Sequence, residues 1–189
     1  ANSRLRPVVG LKGMVVSDDH EASAWGAEIL RSGGNAIDAA VATAFMLSVT
    51  RPHYGSLGGG GFMVYCPASG KCTTLDYRER AGEAAFRDLY IRDGKGNTEL
   101  SQDGALASGV PGVPAGLFTA LEKYGSISRL KILSRPIELA EKGVTFTSHM
   151  EEAARLRWSA FNSEARKILG GCRENSKHAR SCLPGEILK

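Results

Sequence analysis

Residues 36–49, AIDAAVATAFMLSV, are apolar or small on almost every side of a helix. A helix of that kind has no face to give to water and must be buried on several sides. The alanines at 36, 39, 40, 42 and 44 allow neighbouring layers to come close. Asn35 is placed to cap it, Asp38 sits in the first turn where the helix dipole favours a carboxylate, and Pro52 ends it. The chain has the means to cover such an element. At 189 residues with 42% hydrophobic and 23% charged side chains, it suits one domain with a real core.

Around that helix the pattern alternates. GMVVSDD reads as a short strand ending in turn residues. Asp18 and Glu21 are spaced as a capping box for a helix with a stripe at Ala22, Trp25, Ile29 and Leu30, stopped by Gly33-Gly34. GFMVYC, PASG and KCTTLDY form a strand, a turn and a strand, an antiparallel hairpin. Residues 92–104, RDGKGNTELSQDG, have almost no apolar content and are expected as an exposed, mobile loop. ALASGVPG is expected as a buried strand and turn before the helix VPAGLFTALEKYG. A further helix spans SRLKILSRPIELAEKG, restarted or kinked at Pro136, and another opens with Ser148 and Glu151 as a capping box. Residues 148–189 are expected as a mostly helical covering segment.

The four glycines Gly58 to Gly61 invite a phosphate-loop reading, and their polarity excludes it. Phosphate loops run from strand to helix, so that helix N–H groups face the anion. Here the glycines follow a helix, precede a strand and lead into Phe62 rather than lysine. The remaining reason for them is backbone passing so close to other backbone that side chains would clash.

The net charge of +4 is spread among acids, apart from the basic CRENSKHARSC. No aromatic residues interleave that patch, so nucleic-acid binding is not expected. No apolar run reaches the length of a membrane span, and ANSRLRPVVG lacks the apolar centre of a signal peptide. Cys66 and Cys72 flank one short segment, Cys172 and Cys182 another, and neither pair has C-x-x-C spacing. Each pair can bridge across a turn. Two disulfides in an oxidising compartment are the expectation, and free thiols are the alternative. No metal or cofactor is expected. His20 is placed at a helix start facing solvent, and His53 in a loop that it helps to fold.

Three segments in order, GMVVSDDHEASAWGAEILRSGGNAIDAAVATAFMLSVTRPHYGSLGGGGFMVY, LDYRERAG and ASGVPGVPAGLFTALEKYGSISRLKILSRPIELAEKG, resemble the N-terminal part of the gamma-glutamyltranspeptidase family over roughly residues 13–147. GGNAIDAAVA, GGGGF, YRE and GVPG are each modest, but the ordered set is specific. The resemblance implies an α/β fold, part of the αββα four-layer sandwich of N-terminal nucleophile hydrolases, as a single fragment over 1–189. Such enzymes cut themselves into a larger and a smaller chain, and the new N-terminal threonine attacks with its own α-amine as base. They move the γ-glutamyl group of glutathione or related amides to water or an amino acid.

By that resemblance the nucleophilic threonine lies downstream, and no catalytic residue is expected in this chain. Thr73 and Thr74 sit in a predicted strand and carry no free amine. Arg78 of LDYRERAG matches the arginine that binds the donor's α-carboxylate, with Glu79 supporting its orientation. On the residues alone, Arg78 reads first as an ordinary surface arginine paired with Glu79 or Asp76, and the resemblance reverses that preference. Tyr54 and Gly55, and Gly82 where the family more often has proline, point to a pocket shape of this chain's own. The partners implied are the C-terminal remainder of its own precursor and a small γ-glutamyl donor such as glutathione, in the periplasm or outside the cell. Alone, the chain is expected to be inactive, and either to self-associate or to rearrange its C-terminal region. Two alternatives stand beside this: a non-catalytic binding or structural module, and an acylase of the same fold.

Overall fold

Helix α1 (His20–Arg31) packs along α2 (Ala36–Thr50), the segment that is apolar on almost every side. The computed structural model describes residues 9–54, 56–170, 182 and 184–188. Helices α4 (Val113–Tyr124) and α5 (Arg129–Lys142) also lie against α2. Ile29, Ile37, Val41, Phe45, Leu117 and Ile132 make the core that these four helices share. The covering demanded by the all-round apolar helix is therefore supplied from several sides.

The hairpin lies on this helical layer. Strands β1 (Phe62–Tyr65) and β2 (Thr73–Asp76) pair antiparallel, Phe62 opposite Asp76 and Tyr65 opposite Thr73. Side chains alternate across a strand, so Met63, Tyr65 and Leu75 face the helical core. Phe62 and Val64 stand on the other face, 66% and 69% exposed. The Cys66–Cys72 disulfide closes the hairpin's outer end.

Two polar devices lock the layer. Asn35 Oδ1 accepts from the N–H groups of Ile37 (2.9 Å) and Asp38 (3.1 Å), and Asp38 Oδ2 accepts from the Asn35 N–H (2.8 Å), a reciprocal cap. The fully buried Asp38 also reaches the loop between α4 and α5. It accepts from Ser126 N–H (2.9 Å), the Ser126 hydroxyl (2.7 Å) and Ile127 N–H (3.0 Å). Burial pushes its carboxyl up, but these hydrogen bonds outweigh burial and hold it below the usual carboxylate value. The second device concerns Pro136, inside α5. Proline has no N–H to give the carbonyl four residues back, Ile132 O. The Trp25 indole N–H donates to that oxygen instead, at 3.0 Å.

A smaller core gathers Val144, Phe146, Met150, Ala154 and Cys182. It is framed by α6 (Ser148–Arg157), α7 (Ser163–Gly170) and the antiparallel pair β5 (Val144–Thr145) with β6 (Ile187–Leu188). Cys182 is disulfide-bonded. Cys172 and most of the basic patch lie outside the described residues.

Several expectations are corrected. Residues 13–17 form no strand and no β-ladder among the described residues, although their composition suits one; a strand exists only with a ladder partner. Asp19 rather than Asp18 caps α1, accepting from Ala22 N–H, and Thr147 rather than Ser148 caps α6, accepting from Met150 N–H. In both cases two adjacent residues can cap, and the backbone angle at the entry chooses between them. ALASGVPG is neither buried nor a strand: residues 105–107 form a 3-10 turn, and Val110 is exposed. The stretch 92–104 is mostly exposed and carries regular structure of its own. Asp93 and Gly94, both at positive φ, turn a small hairpin of β3 (Ile91–Arg92) and β4 (Lys95–Gly96), followed by α3 (Thr98–Gln102). Asp-Gly is the pairing that such a two-residue turn requires.

Candidate functional site

Past its last paired residue, β2 runs on through residues 77–80 between two other backbone segments. On one side Tyr77 N–H donates to Gly61 O (3.0 Å) and Gly61 N–H to Tyr77 O (3.3 Å). On the other, Arg80 N–H donates to Val110 O (3.2 Å) and Val110 N–H to Arg80 O (2.7 Å). The flanking segments are tied to each other as well, since Gly112 and Val113 both donate to Gly59 O, at 2.9 and 3.1 Å. The glycine run, YRE and GVPG are thus one backbone crossing.

That crossing explains Gly60, Gly61, Gly112 and Gly116, whereas Gly58 and Gly59 have room for a β-carbon. A β-carbon at Gly60 would overlap the Glu79 backbone N and the Tyr77 carbonyl. At Gly112 it would overlap Tyr77 O, and at Gly116 the Tyr77 ring. Close approach is their role here, as their polarity in the sequence indicates.

The extension alternates like a strand, Tyr77 inward and Arg78 outward. Burial pushes the Tyr77 phenol up, so it stays protonated at neutral pH. Arg78 N–H donates to Asp76 Oδ1 at 2.9 Å, and Arg78 Nε lies 3.3 Å from Glu79 Oε2. The Arg78 side chain is 64% exposed, so this ion pair adds little stability. The contact lies at Nε, and the Nη pair has no hydrogen bond among the described residues. A planar fork of that kind takes a carboxylate through two parallel bonds. Arg78, Glu79, Arg80, Ala115 and Thr119 line a cavity of about 400 Å³.

The other residues singled out in the sequence lie elsewhere. His20 is exposed at the first position of α1. His53 stacks on Tyr54 with ring centroids 4.3 Å apart, and its nitrogens have no hydrogen bond among the described residues. Burial, with Arg51 and His149 nearby, lowers its pKa. Thr73 and Thr74 are strand residues opposite Tyr65 and Val64.

A helical layer on one face of a strand pair, with an exposed arginine just past the strand's end, matches part of the N-terminal nucleophile hydrolase fold of solved relatives. A sequence profile of the family described as gamma-glutamyltranspeptidase matches residues 22–187. The chain belongs to that family. Among solved structures it is similar to the Helicobacter pylori gamma-glutamyltranspeptidase, at TM-score 0.89 and 34% identity, covering 96% of this chain and 52% of that one. It is also similar to the Pseudomonas nitroreducens gamma-glutamyltranspeptidase complexed with L-DON, at TM-score 0.82 and 37% identity, with the same coverage of 96% and 52%. The glutathione hydrolase proenzyme of Pseudomonas sp. (strain A14) is 49% identical over 138 residues, which are 72% of this chain and 24% of that protein. The chain spans about a quarter of the length of the curated relatives it matches. No helix among the described residues is long and apolar enough to cross a membrane.

Proposed function

We propose that this chain is the N-terminal part of a gamma-glutamyltransferase or glutathione hydrolase and supplies the seat for the donor's α-carboxylate. Arg78 is that seat, and Glu79 orients it. The observation that carries the reading is the Arg78 fork, without a hydrogen bond, on backbone bonded to neighbours on both sides in a chain of this family. The nucleophilic threonine comes from sequence beyond Lys189. Its hydroxyl attacks the γ-carbonyl carbon while its α-amine takes the proton; the α-ammonium then gives that proton to the departing amine as the amide C–N bond breaks, leaving an acyl-enzyme. Water or an amino acid's amine takes the γ-glutamyl group. Arg78 holds the donor so that this carbonyl is presented in one orientation, and position of that kind lowers a barrier substantially.

On this reading the chain alone is inactive, and its partner is the remainder of its own precursor. A periplasmic or extracellular location agrees with the Cys66–Cys72 disulfide. The test is turnover of γ-glutamyl-p-nitroanilide by the complete gene product after self-cleavage. Release of p-nitroaniline is expected. A self-cleaved protein that hydrolyses only other acyl amides would point to an acylase, and one that cleaves none would point to a non-catalytic module.

A further inference from the structure

The cavity at the end of β2 carries four charged side chains, and three of them are engaged. Asp76 accepts from the Arg78 N–H, and Glu79 pairs with the Arg78 guanidinium. Arg80 is left over: among the described residues its guanidinium has no ion pair and no hydrogen bond. Its backbone is nevertheless held from both directions by Val110, at 3.2 and 2.7 Å. Alternate residues of an extended chain share a face, so Arg80 stands beside Arg78 with its Cα about 6.6 Å further along. Both are exposed and both line the same cavity. The result is two exposed cations in a row on held backbone, with Glu79 paired to the first and Asp76 bound to the first residue's backbone N–H.

We propose that Arg80 is a specificity residue that binds a carboxylate on the amine side of the scissile amide. The inference rests on the reading of Arg78 as the seat of the donor's α-carboxylate. A donor held there extends its γ-amide and leaving amine across the cavity. A γ-glutamyl peptide brings a second carboxylate on that leaving amine, whereas an arylamide brings none. Arg80 meets it with the same planar fork that Arg78 offers the first. The substrate class is therefore acidic γ-glutamyl peptides in preference to neutral γ-glutamyl amides.

The experiment compares γ-glutamylglycine with γ-glutamylglycinamide in the complete, self-cleaved protein. In the wild type the free carboxylate is expected to raise kcat/KM about tenfold, through KM, as a charge-assisted bond at a partly exposed site does. Arg80→Gln collapses that ratio to about one, and Arg80→Lys keeps part of it. Arg87→Gln removes an exposed cation elsewhere and leaves the ratio at the wild-type value. A wild-type ratio near one, or a ratio that Arg80→Gln does not move, overturns the proposal. The wild-type comparison and Arg80→Lys decide it even if the glutamine variant does not fold. A wild type that turns over no γ-glutamyl donor at all overturns the functional reading itself, a different outcome.

Discussion

At the scale of the residue, Asp38 shows what a sequence reveals and what it conceals. Its place three residues after Asn35 announces a helix cap, and the cap forms. Its second role, gripping Ser126 and Ile127 nearly 90 residues away, has no local signature. Removing the carboxylate strands the part-buried N–H donors of Asn35, Ser126 and Ile127. Asp38→Ala is therefore expected to cost about 3 kcal/mol in chemical denaturation. The pH dependence follows from the direction of its shift. The folded carboxyl titrates below its ordinary value, near about 3.9 in the unfolded chain, so the unfolded form takes the proton first as pH falls. The stabilisation is complete above the unfolded value and is lost as pH drops through the lower, folded one. The stability gap between wild type and Asp38→Asn should narrow over that acid range; a gap independent of pH would contradict the assignment.

At the scale of the element, α5 carries a proline in its interior without losing its course, and the reason lies in another helix. Trp25 was legible as part of an apolar stripe, but its bond to Ile132 O was not, because nothing in sequence links positions 107 apart. Trp25→Phe is expected to destabilise by about 1 kcal/mol through the stranded carbonyl. Pro136→Ala restores the backbone donor, so the same Trp25→Phe change should cost clearly less in that background. A double-mutant cycle reads the coupling, and additive effects would show that the indole bond is not what rescues the helix. The elements read well were those with strong local patterns: α2, the β1–β2 hairpin and α4. Residues 13–17 and ALASGVPG were misread because strand composition says nothing about whether a partner strand is at hand.

At the scale of the whole molecule, the sheet has one face on the helices and one without cover among the described residues. Phe62 and Val64 are two-thirds exposed there, and Val16 is 80% exposed nearby in sequence to the helical layer's start. Apolar surface of this kind marks an interaction site. The chain on its own is expected to self-associate, seen as a rising apparent mass in light scattering with concentration. Phe62→Ser with Val64→Thr should return it toward a monomer, while a monodisperse wild-type monomer at high concentration would contradict the expectation. The site was legible at this scale in a limited way. YRE pointed to Arg78 through family resemblance. That the glycine run, YRE and GVPG are one crossing emerged only from the hydrogen bonds among Gly59, Gly61, Tyr77, Arg80 and Val110.

The central claim is that Arg78 seats the donor, and the KM of the complete, self-cleaved protein for γ-glutamyl-p-nitroanilide tests it most directly. Arg78→Ala should raise KM by about 100-fold, the worth of a two-bond charged contact, with self-cleavage intact. Arg78→Lys, which keeps the charge but not the fork, should recover only part of that loss. An unchanged KM in a self-cleaved Arg78→Ala protein would contradict the account.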